Sequence, residues 1–159
     1  MNSRENCCCF TGHRHIAKEH IEKLTSNLPA MINGLANGGV TDFITGGALG
    51  FDTLAAMAVL KEREHNPDIS LILALPCRKQ TARWHKKDIA LYNEILSLAD
   101  EVIYVSEEYT NGCMLKRNRF MVDSSAHCIF YMSVPRGGTA YTVKYALENE
   151  LEMHNAMMG

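Results

Sequence analysis

Five apolar runs recur along this chain, and segments with helical periodicity separate each run from the next. The runs span residues 7–10, 41–45, 69–75, 101–105 and 127–132. Most are continuous, as in Leu-Ile-Leu-Ala-Leu, which is typical of strands covered on both faces of a parallel sheet. The alternation predicts an α/β fold that is doubly wound, with a mainly parallel five-stranded sheet and helices on both faces. Pro29 is expected to kink or divide the first helix.

Length and charge narrow the class of protein. The 159 residues are 47% apolar, which is enough for one core, so residues 1–159 are expected to form a single domain. The chain has a net charge of −2, whereas domains that bind nucleic acid usually have an excess of basic residues, so no nucleic-acid partner is expected. No apolar run reaches membrane-spanning length, and the first residues lack the layout of a signal peptide. We therefore expect a cytoplasmic protein with no membrane contact.

The six cysteines favour free thiols over disulfides or metal binding. Cys7, Cys8 and Cys9 are consecutive on a predicted strand and would point to alternate faces. The other three are scattered, and no Cys-x-x-Cys or paired Cys/His spacing occurs. The sequence therefore predicts no metal site and no cofactor.

Two glycine turns follow predicted strands and open predicted helices. Gly46, Gly47 and Gly50 form the first turn, and Gly137, Gly138 and Thr139 form the second. Such turns leave backbone N–H groups free to converge on an anion, with the positive end of a helix dipole behind them. Loops that follow parallel strands emerge at one edge of the sheet, so both turns are expected to open on one crevice. The alternative for the first turn is tight strand-to-helix packing with no ligand.

The first glycine turn departs from the common nucleotide-binding fingerprints. Aligned to Gly-x-Gly-x-x-Gly, it has Thr45 at the first glycine, and no ribose-binding acid ends the next strand. The Gly-Lys-[Ser/Thr] of nucleotide-hydrolysing loops is also missing from the sequence. A nicotinamide dehydrogenase is therefore not expected.

The loop after the first predicted strand carries the residues Thr11, Gly12, His13 and Arg14. An arginine there can make a two-pronged contact to phosphate or carboxylate, and a histidine can donate or relay a proton. The alternative is structural, with the arginine holding a loop by hydrogen bonds to carbonyl groups.

Two later segments add polar candidates at helical spacing. Gln80, Trp84 and Asp88 fall at intervals of four, which predicts one helix face; Trp84 could stack on a base or pack in the core. Asn118 interrupts an apolar helix stripe, so it either ties down a loop or contacts a ligand. Arg117 and Arg119 flank it and point apart, so at most one is expected to enter the crevice.

Taken together, these motifs resemble the YpsA-like family of the SLOG superfamily, which is related to LOG and DprA proteins. The resemblance rests on Phe10-Thr-Gly-His-Arg14, Thr45-Gly-Gly-Ala-Leu-Gly-Phe-Asp52, Pro76-Cys, Arg117-Asn-Arg-Phe-Met-Val-Asp123 and Gly137-Gly-Thr139. It covers nearly the whole chain and implies a single Rossmann-like domain that binds a nucleotide or nucleotide-derived phosphorylated molecule. The residues that it and the loops place at the ligand are Thr11, Gly12, His13, Arg14, Gly46, Gly47, Gly50, Asp52, Gln80, Trp84, Arg117, Asn118, Gly137, Gly138 and Thr139.

Two better-defined relatives supply rival functions. LOG proteins, which cleave the base from nucleoside monophosphates, carry a glutamate where this sequence has Thr142. A hydrolase would therefore need an acid from Asp52, Asp88 or Glu107. DprA-like proteins bind single-stranded DNA and carry a run similar to residues 46–52, but this acidic chain lacks a second basic module.

The sequence is therefore interpreted as a binding or sensor domain for a nucleotide-type small molecule, with no assigned catalytic residue. A homo-oligomer is expected from the methionine-rich residues 153–158 and from the family resemblance. The sequence names no protein partner.

Overall fold

The computed structural model describes residues 1–158 and has one six-stranded sheet in which every strand pair is parallel. The strands are β1 (Cys7–Gly12), β2 (Asp42–Thr45), β3 (Ser70–Leu75), β4 (Glu101–Tyr104), β5 (His127–Tyr131) and β6 (Glu152–Asn155). Their order across the sheet is β4-β3-β2-β1-β5-β6. The helices are α1 (Lys18–Asn37), α2 (Phe51–His65), α3 (Lys86–Leu98), α4 (Cys113–Asp123) and α5 (Gly137–Glu148). The doubly wound, Rossmann-like α/β prediction is confirmed.

The core lies on both faces of the sheet because successive strand side chains point to opposite sides. Cys8 and Phe10 of β1 pack under α1 and α2, whereas Cys7 and Cys9 pack under α4 and α5. All six cysteines are free and buried. Continuous apolar strands are thus explained by helices on each face.

The sheet has one strand more than the sequence predicts. β6 pairs with β5 in the register His127↔Glu152 and Ile129↔His154 and forms the edge of the sheet. Its sequence, Glu-Met-His-Asn, carries little of the apolar signal by which strands are recognised. An edge strand is covered less than a central one, so polar residues are tolerated there.

Two local predictions are wrong. The helix α1 is not divided at Pro29 but runs through it, with Leu28 and Ile32 buried on either side; the alternative of a kink at Pro29 stays a prediction. Gln80 and Trp84 do not share a helix face, because α3 begins at Lys86. They lie in turns closed by bonds such as Trp84 N–H to the Thr81 carbonyl at 3.0 Å. Spacing of four residues in a run of turns imitates a helical pattern.

Across residues 1–158, every helix falls short of the length or the hydropathy that a bilayer-spanning helix needs.

Candidate functional site

Loops at the carboxyl ends of β1, β2 and β5 surround a polar cavity of about 280 Å³, here named the polar cavity. The segment after β2 contributes Ala48 and, at the start of α2, Asp52, and the segment after β5 contributes Gly137, Gly138 and Thr139 at the start of α5. Both glycine turns therefore lie at the carboxyl edge of the sheet, but Gly46, Gly47 and Gly50 do not line this cavity, so a single crevice shared by the two turns stays a prediction. The remaining lining comes from the β1 loop and from α4: Phe10, Thr11, Gly12, His13, Arg14, Met114, Arg117, Asn118 and Met121, together with Arg136.

Arg117 is buried at the polar cavity, and hydrogen bonds to other residues of the chain fix its guanidinium group. Its side chain is 4% exposed and donates to the carbonyl of Gly46, to the carbonyl of Ala74 at 3.4 Å, and to Asn118 Oδ1 at 2.8 Å. Burial lowers the pKa of this guanidinium, and the charge of Asp52 opposes that shift. Arg117 thus fixes α4 to the ends of β2 and β3. A side chain at Gly46 would collide with the guanidinium, which explains that glycine by packing.

Asp52 occupies part of the anion position that the first glycine turn offers. It lies buried in the first turn of α2, and its Oδ2 accepts the Ala48 N–H at 3.1 Å. Desolvation raises the pKa of this carboxyl above its ordinary value, and the charge of Arg117 pulls it back. An incoming phosphate would therefore meet a carboxyl group at this helix start.

The other glycines of the first turn also have conformational and packing reasons. Gly47 and Gly50 have φ of 68° and 78°, a backbone region that residues with a Cβ rarely adopt. A side chain at Gly50 would collide with the backbone of Arg14. The packing interpretation of this turn accounts for all three glycines, and phosphate binding by it stays a prediction.

The second glycine turn is better suited to an anion. Arg136 is the N-cap of α5 but makes no side-chain cap bond, and the first turn of α5 has no acidic residue. Gly137 has φ of 79°, and a side chain there would meet open space. The first N–H groups of a helix lack helical partners and carry the positive end of its dipole. These groups face the polar cavity with no competing carboxylate on their own helix turn.

Two exposed guanidinium groups add positive charge to the polar cavity. Arg14 and Arg136 both line it, and neither side chain has a hydrogen-bond or ion-pair partner anywhere in residues 1–158. His13 Nε2 lies 3.2 Å from the Val134 carbonyl oxygen and so joins the β1 loop to the loop after β5. The polar cavity therefore combines a helix N-terminus with two unpaired cations.

A larger cavity of about 770 Å³, here named the aromatic cavity, shares Arg14 and Met114 with the polar cavity. It is also lined by Gln80, Trp84 and Tyr109. Trp84 is half-buried and packs edge-on against the Tyr92 ring, with the ring centroids 5.4 Å apart. The two cavities therefore adjoin at Arg14 and Met114.

Gln80 is the least satisfied polar residue of the aromatic cavity. Its side chain is 8% exposed, and its Nε2 donates to the Tyr92 hydroxyl at 3.3 Å. Its Oε1 is buried without a hydrogen-bond partner among the atoms of residues 1–158. Buried amide oxygens in native proteins are almost always paired, so this unpaired atom is an exception, and as it lies it is enclosed by protein and not exposed to the cavity.

The structure divides the predicted site residues into three groups. The polar cavity receives Thr11, Gly12, His13, Arg14, Asp52, Arg117, Asn118, Gly137, Gly138 and Thr139. The aromatic cavity receives Gln80 and Trp84 together with Arg14. A third, apolar cavity of about 210 Å³ receives Gly47 and Gly50, and Gly46 contacts Arg117.

Several residues that line the two cavities are not predicted from the sequence. They include Arg136, Met114 and Tyr109, although Arg136 directly precedes the second glycine pair. That position was the available signal, since it makes Arg136 the N-cap of the following helix. Arg119 points outward to the Tyr141 hydroxyl at 2.9 Å, so only Arg117 of the flanking pair enters the crevice, as expected.

Comparison with known sequences places the chain in a family. The YpsA family model, described as the YspA SLOG family, matches residues 8–158. The SPbeta prophage-derived protein YoqJ of Bacillus subtilis is 32% identical over 121 residues, which cover 69% of this chain and 71% of YoqJ. A UPF0398 protein of Halalkalibacterium halodurans is 26% identical over 142 residues, which cover 87% of this chain and 74% of that protein.

Solved structures share the fold at low identity. DNA processing protein A (DprA) of Streptococcus pneumoniae matches 95% of this chain with a TM-score of 0.68 and 17% identity. DprA of Helicobacter pylori, whose structure concerns its single-stranded DNA binding mode, matches 96% with a TM-score of 0.66 and 17% identity. TM1055 matches 93% of this chain and 72% of its own, with a TM-score of 0.61 and 13% identity. This chain spans 50% of the first DprA chain and 65% of the second. Because the identities are 13–17%, the likeness concerns the fold alone. With the family match over residues 8–158, the chain belongs to the YpsA SLOG family.

Proposed function

We propose that this chain is a binding or sensor domain for a nucleotide or a nucleotide-derived phosphorylated small molecule. The observation that carries the proposal is the junction of the polar cavity with the aromatic cavity through Arg14 and Met114. A phosphorylated nucleoside has an anionic end and a flat aromatic end, and this junction offers a surface for each. The volumes of about 280 and 770 Å³ fall near the usual range of small-molecule sites, about 300–1,000 Å³.

The phosphate would lie at the start of α5. The uncapped N–H groups of Gly137 and Gly138 can donate to its oxygens, and the helix dipole favours its charge. Arg14 and Arg136 can add charge-assisted hydrogen bonds, because neither guanidinium has a protein partner in residues 1–158. These features support the second glycine turn as the phosphate site.

The base would lie in the aromatic cavity. Trp84 presents part of its ring there, and stacking on an aromatic side chain accepts any base. Gln80 lines the same cavity, and we propose that its side chain rotates on binding so that the amide oxygen accepts a hydrogen bond from a base amino or imino group. A base with a donor at its edge would then bind better than one without.

The position of Thr142 favours binding over cleavage of the glycosidic bond. Thr142 is buried, and its Oγ1 donates to the Gly138 carbonyl at 2.8 Å, so it supplies neither a carboxylate nor a free hydroxyl. We also place the protein in the cytoplasm, because six free buried thiols fit a reducing compartment.

Asp52 keeps a second candidate function open, the LOG-like cleavage of a nucleoside monophosphate. Its carboxyl lines the polar cavity, and burial raises its pKa, as a general acid requires. Asp88 lines the apolar cavity instead, and Glu107 is engaged with Arg78 at 2.7 Å. Single-stranded DNA binding, the subject of the Helicobacter pylori structure, is favoured less by a net charge of −2.

A ligand screen tests the proposal. Thermal shift with nucleoside monophosphates, ADP-ribose and dinucleotides is followed by calorimetry of the hits against the matching nucleoside and inorganic phosphate. We expect a phosphorylated nucleoside to bind more tightly than either of its parts, with no release of free base. Absence of binding by every compound would reject the proposal. Base release that disappears in Asp52→Asn, with folding intact, would establish the hydrolase instead.

A further inference from the structure

A separate cluster of metal-ligating side chains lies on β5 and β6, toward the amino ends of the strands, whereas the polar cavity lies at the carboxyl ends. His127 begins β5, and Glu152 and His154 lie on the neighbouring strand β6. The parallel register pairs His127 with Glu152, and His154 follows Glu152 by two residues. Side chains two residues apart on a strand point to the same face, so the three groups converge on one side of the sheet.

The two distances from His127 to its neighbours match those between the ligands of one small metal ion. His127 Nδ1 lies 3.3 Å from His154 Nε2 and 3.0 Å from Glu152 Oε2. One ligand atom from each residue lies within 4.8 Å of the other two. Zinc binds nitrogen and oxygen ligands at about 2.0–2.2 Å in tetrahedral geometry, so its ligand atoms lie about 3.3 Å apart. Two of the three separations therefore lie close to the spacing that one zinc ion requires.

Two neighbours share one ring atom of His127 in this cluster. His127 Nδ1 has either one N–H or one lone pair, yet it lies at hydrogen-bond distance from both His154 and Glu152, so at best it makes one three-centre hydrogen bond. The two imidazole rings are stacked, with centroids 5.5 Å apart and 25° between their planes. A metal ion would instead take one lone pair from each of the three groups. Glu152 is 72% exposed and His127 17% exposed, so an ion can enter from solvent.

We propose that His127, Glu152 and His154 form a binding site for a divalent transition-metal ion, with zinc as the ion to test. Two imidazoles and one carboxylate suit zinc better than magnesium or calcium, which prefer oxygen ligands. Three protein ligands leave a fourth tetrahedral position open toward solvent. A bound ion would fasten the edge strand β6 to β5. No Cys/His spacing in the sequence indicates such a site, because its ligands come from two strands that only the sheet brings together.

The experiment measures zinc binding to chelator-treated full-length protein by calorimetry and by thermal shift. Cobalt(II), as a spectroscopic substitute for zinc, reports tetrahedral coordination through its visible absorption. Magnesium serves as the comparison ion. The variants are Glu152→Gln, His127→Ala and His154→Ala, and His65→Ala is the matched control because His65 is an exposed histidine outside the cluster. Circular dichroism checks that each variant is folded.

We expect one zinc ion per chain, a higher unfolding temperature with zinc, and no such effect of magnesium. Each cluster variant should weaken zinc binding at least about tenfold, since even groups behind the first ligands have effects of that size. His65→Ala should bind as wild type does. If a histidine variant fails to fold, Glu152→Gln decides, because that exposed side chain can change without disturbing the core. No zinc binding by wild type, or unchanged affinity in Glu152→Gln, would overturn the proposal.

Discussion

Arg14 and Arg117 carry the same charge in opposite surroundings. The N–H groups of Arg117 donate hydrogen bonds to Gly46, Ala74 and Asn118, and the residue is buried, so its role is structural. Arg14 is exposed, lines both the polar cavity and the aromatic cavity, and has no side-chain partner in residues 1–158. The physical consequence is a division of roles, in which Arg117 shapes the crevice and Arg14 is available to a ligand.

Replacing Arg14 tests that availability. We expect Arg14→Ala to weaken binding of a phosphorylated nucleoside by about 1.5–3 kcal/mol, the range for hydrogen bonds to charged groups. The stability of the protein should change little, because the side chain is exposed and unpaired. Calorimetry measures the affinity, and Arg119→Ala, an exposed arginine outside both cavities, is the control. Equal affinity of Arg14→Ala and wild type would remove Arg14 from the site.

The carboxyl of Asp52 should make stability depend on pH. Its pKa is raised in the folded protein above the ordinary value of 3.8, so the folded state takes up a proton more readily than the unfolded state. The contribution of Asp52 to the free energy of unfolding is therefore largest below about pH 3.8 and falls as pH rises through the folded pKa. The fall is about 1.4 kcal/mol for each unit by which the folded pKa exceeds the ordinary value.

Urea unfolding of wild type and Asp52→Asn at a series of pH values measures this effect. The asparagine can still accept the Ala48 N–H, so the difference in free energy isolates the titration. We expect the stability of wild type relative to Asp52→Asn to decline as pH rises. Asp68→Asn is the control at an exposed aspartate. A relative stability of wild type that rises over the same range would contradict the burial argument.

At the scale of elements, the beginnings of α2 and α5 differ although both follow glycine turns. α2 starts against the β1 loop, with Gly50 at the Arg14 backbone and Asp52 inside its first turn. α5 starts at an exposed turn without an acidic residue. A sequence pattern of glycines before a helix therefore describes two different structures, one closed by packing and one open to solvent.

Gly50→Ala should destabilise the protein by about 1–3 kcal/mol or more, because the left-handed backbone and the Arg14 backbone both oppose a side chain. Gly34→Ala is the matched control. Gly34 lies inside α1, and an added Cβ there would meet nothing within 4 Å, so alanine should stabilise by about 0.5–1 kcal/mol. Chemical unfolding measures both changes. Equal free energies of unfolding for the two variants would show that the turn tolerates a side chain.

The chain after β6 is joined to α1 by a hydrogen bond from Asn27 Nδ2 to the carbonyl of Ala156 at 2.8 Å. Asn27→Ala should cost about 1–3 kcal/mol, since it leaves the partly buried carbonyl of Ala156 without this donor. Asn33→Ala is the control, because it changes helix propensity in α1 by the same substitution at an exposed position. Thermal unfolding of both variants isolates the contact. Identical unfolding temperatures would indicate that the contact contributes nothing.

At the scale of the whole molecule, the homo-oligomer stays a prediction, and part of its basis has changed. Met153 and Met157 pack against the two core clusters of their own chain, and only Met158 of the terminal methionines is exposed. Size-exclusion chromatography with light scattering should give a mass of at least twice the 17.8 kDa of one chain. A mass of one chain at micromolar concentration would contradict the prediction.

The sequence alone determined the order of strands and helices, because apolar runs and helical spacing are local properties that burial on both faces of a sheet imposes. It therefore also determined that the loops carrying Arg14 and Gly137 share one edge. Side-chain partners depend on residues distant along the chain, so only the tertiary structure decided them. The burial of Arg117 against Gly46, the edge strand β6 and the meeting of His127 with His154 all arise from register and packing, which no local pattern encodes.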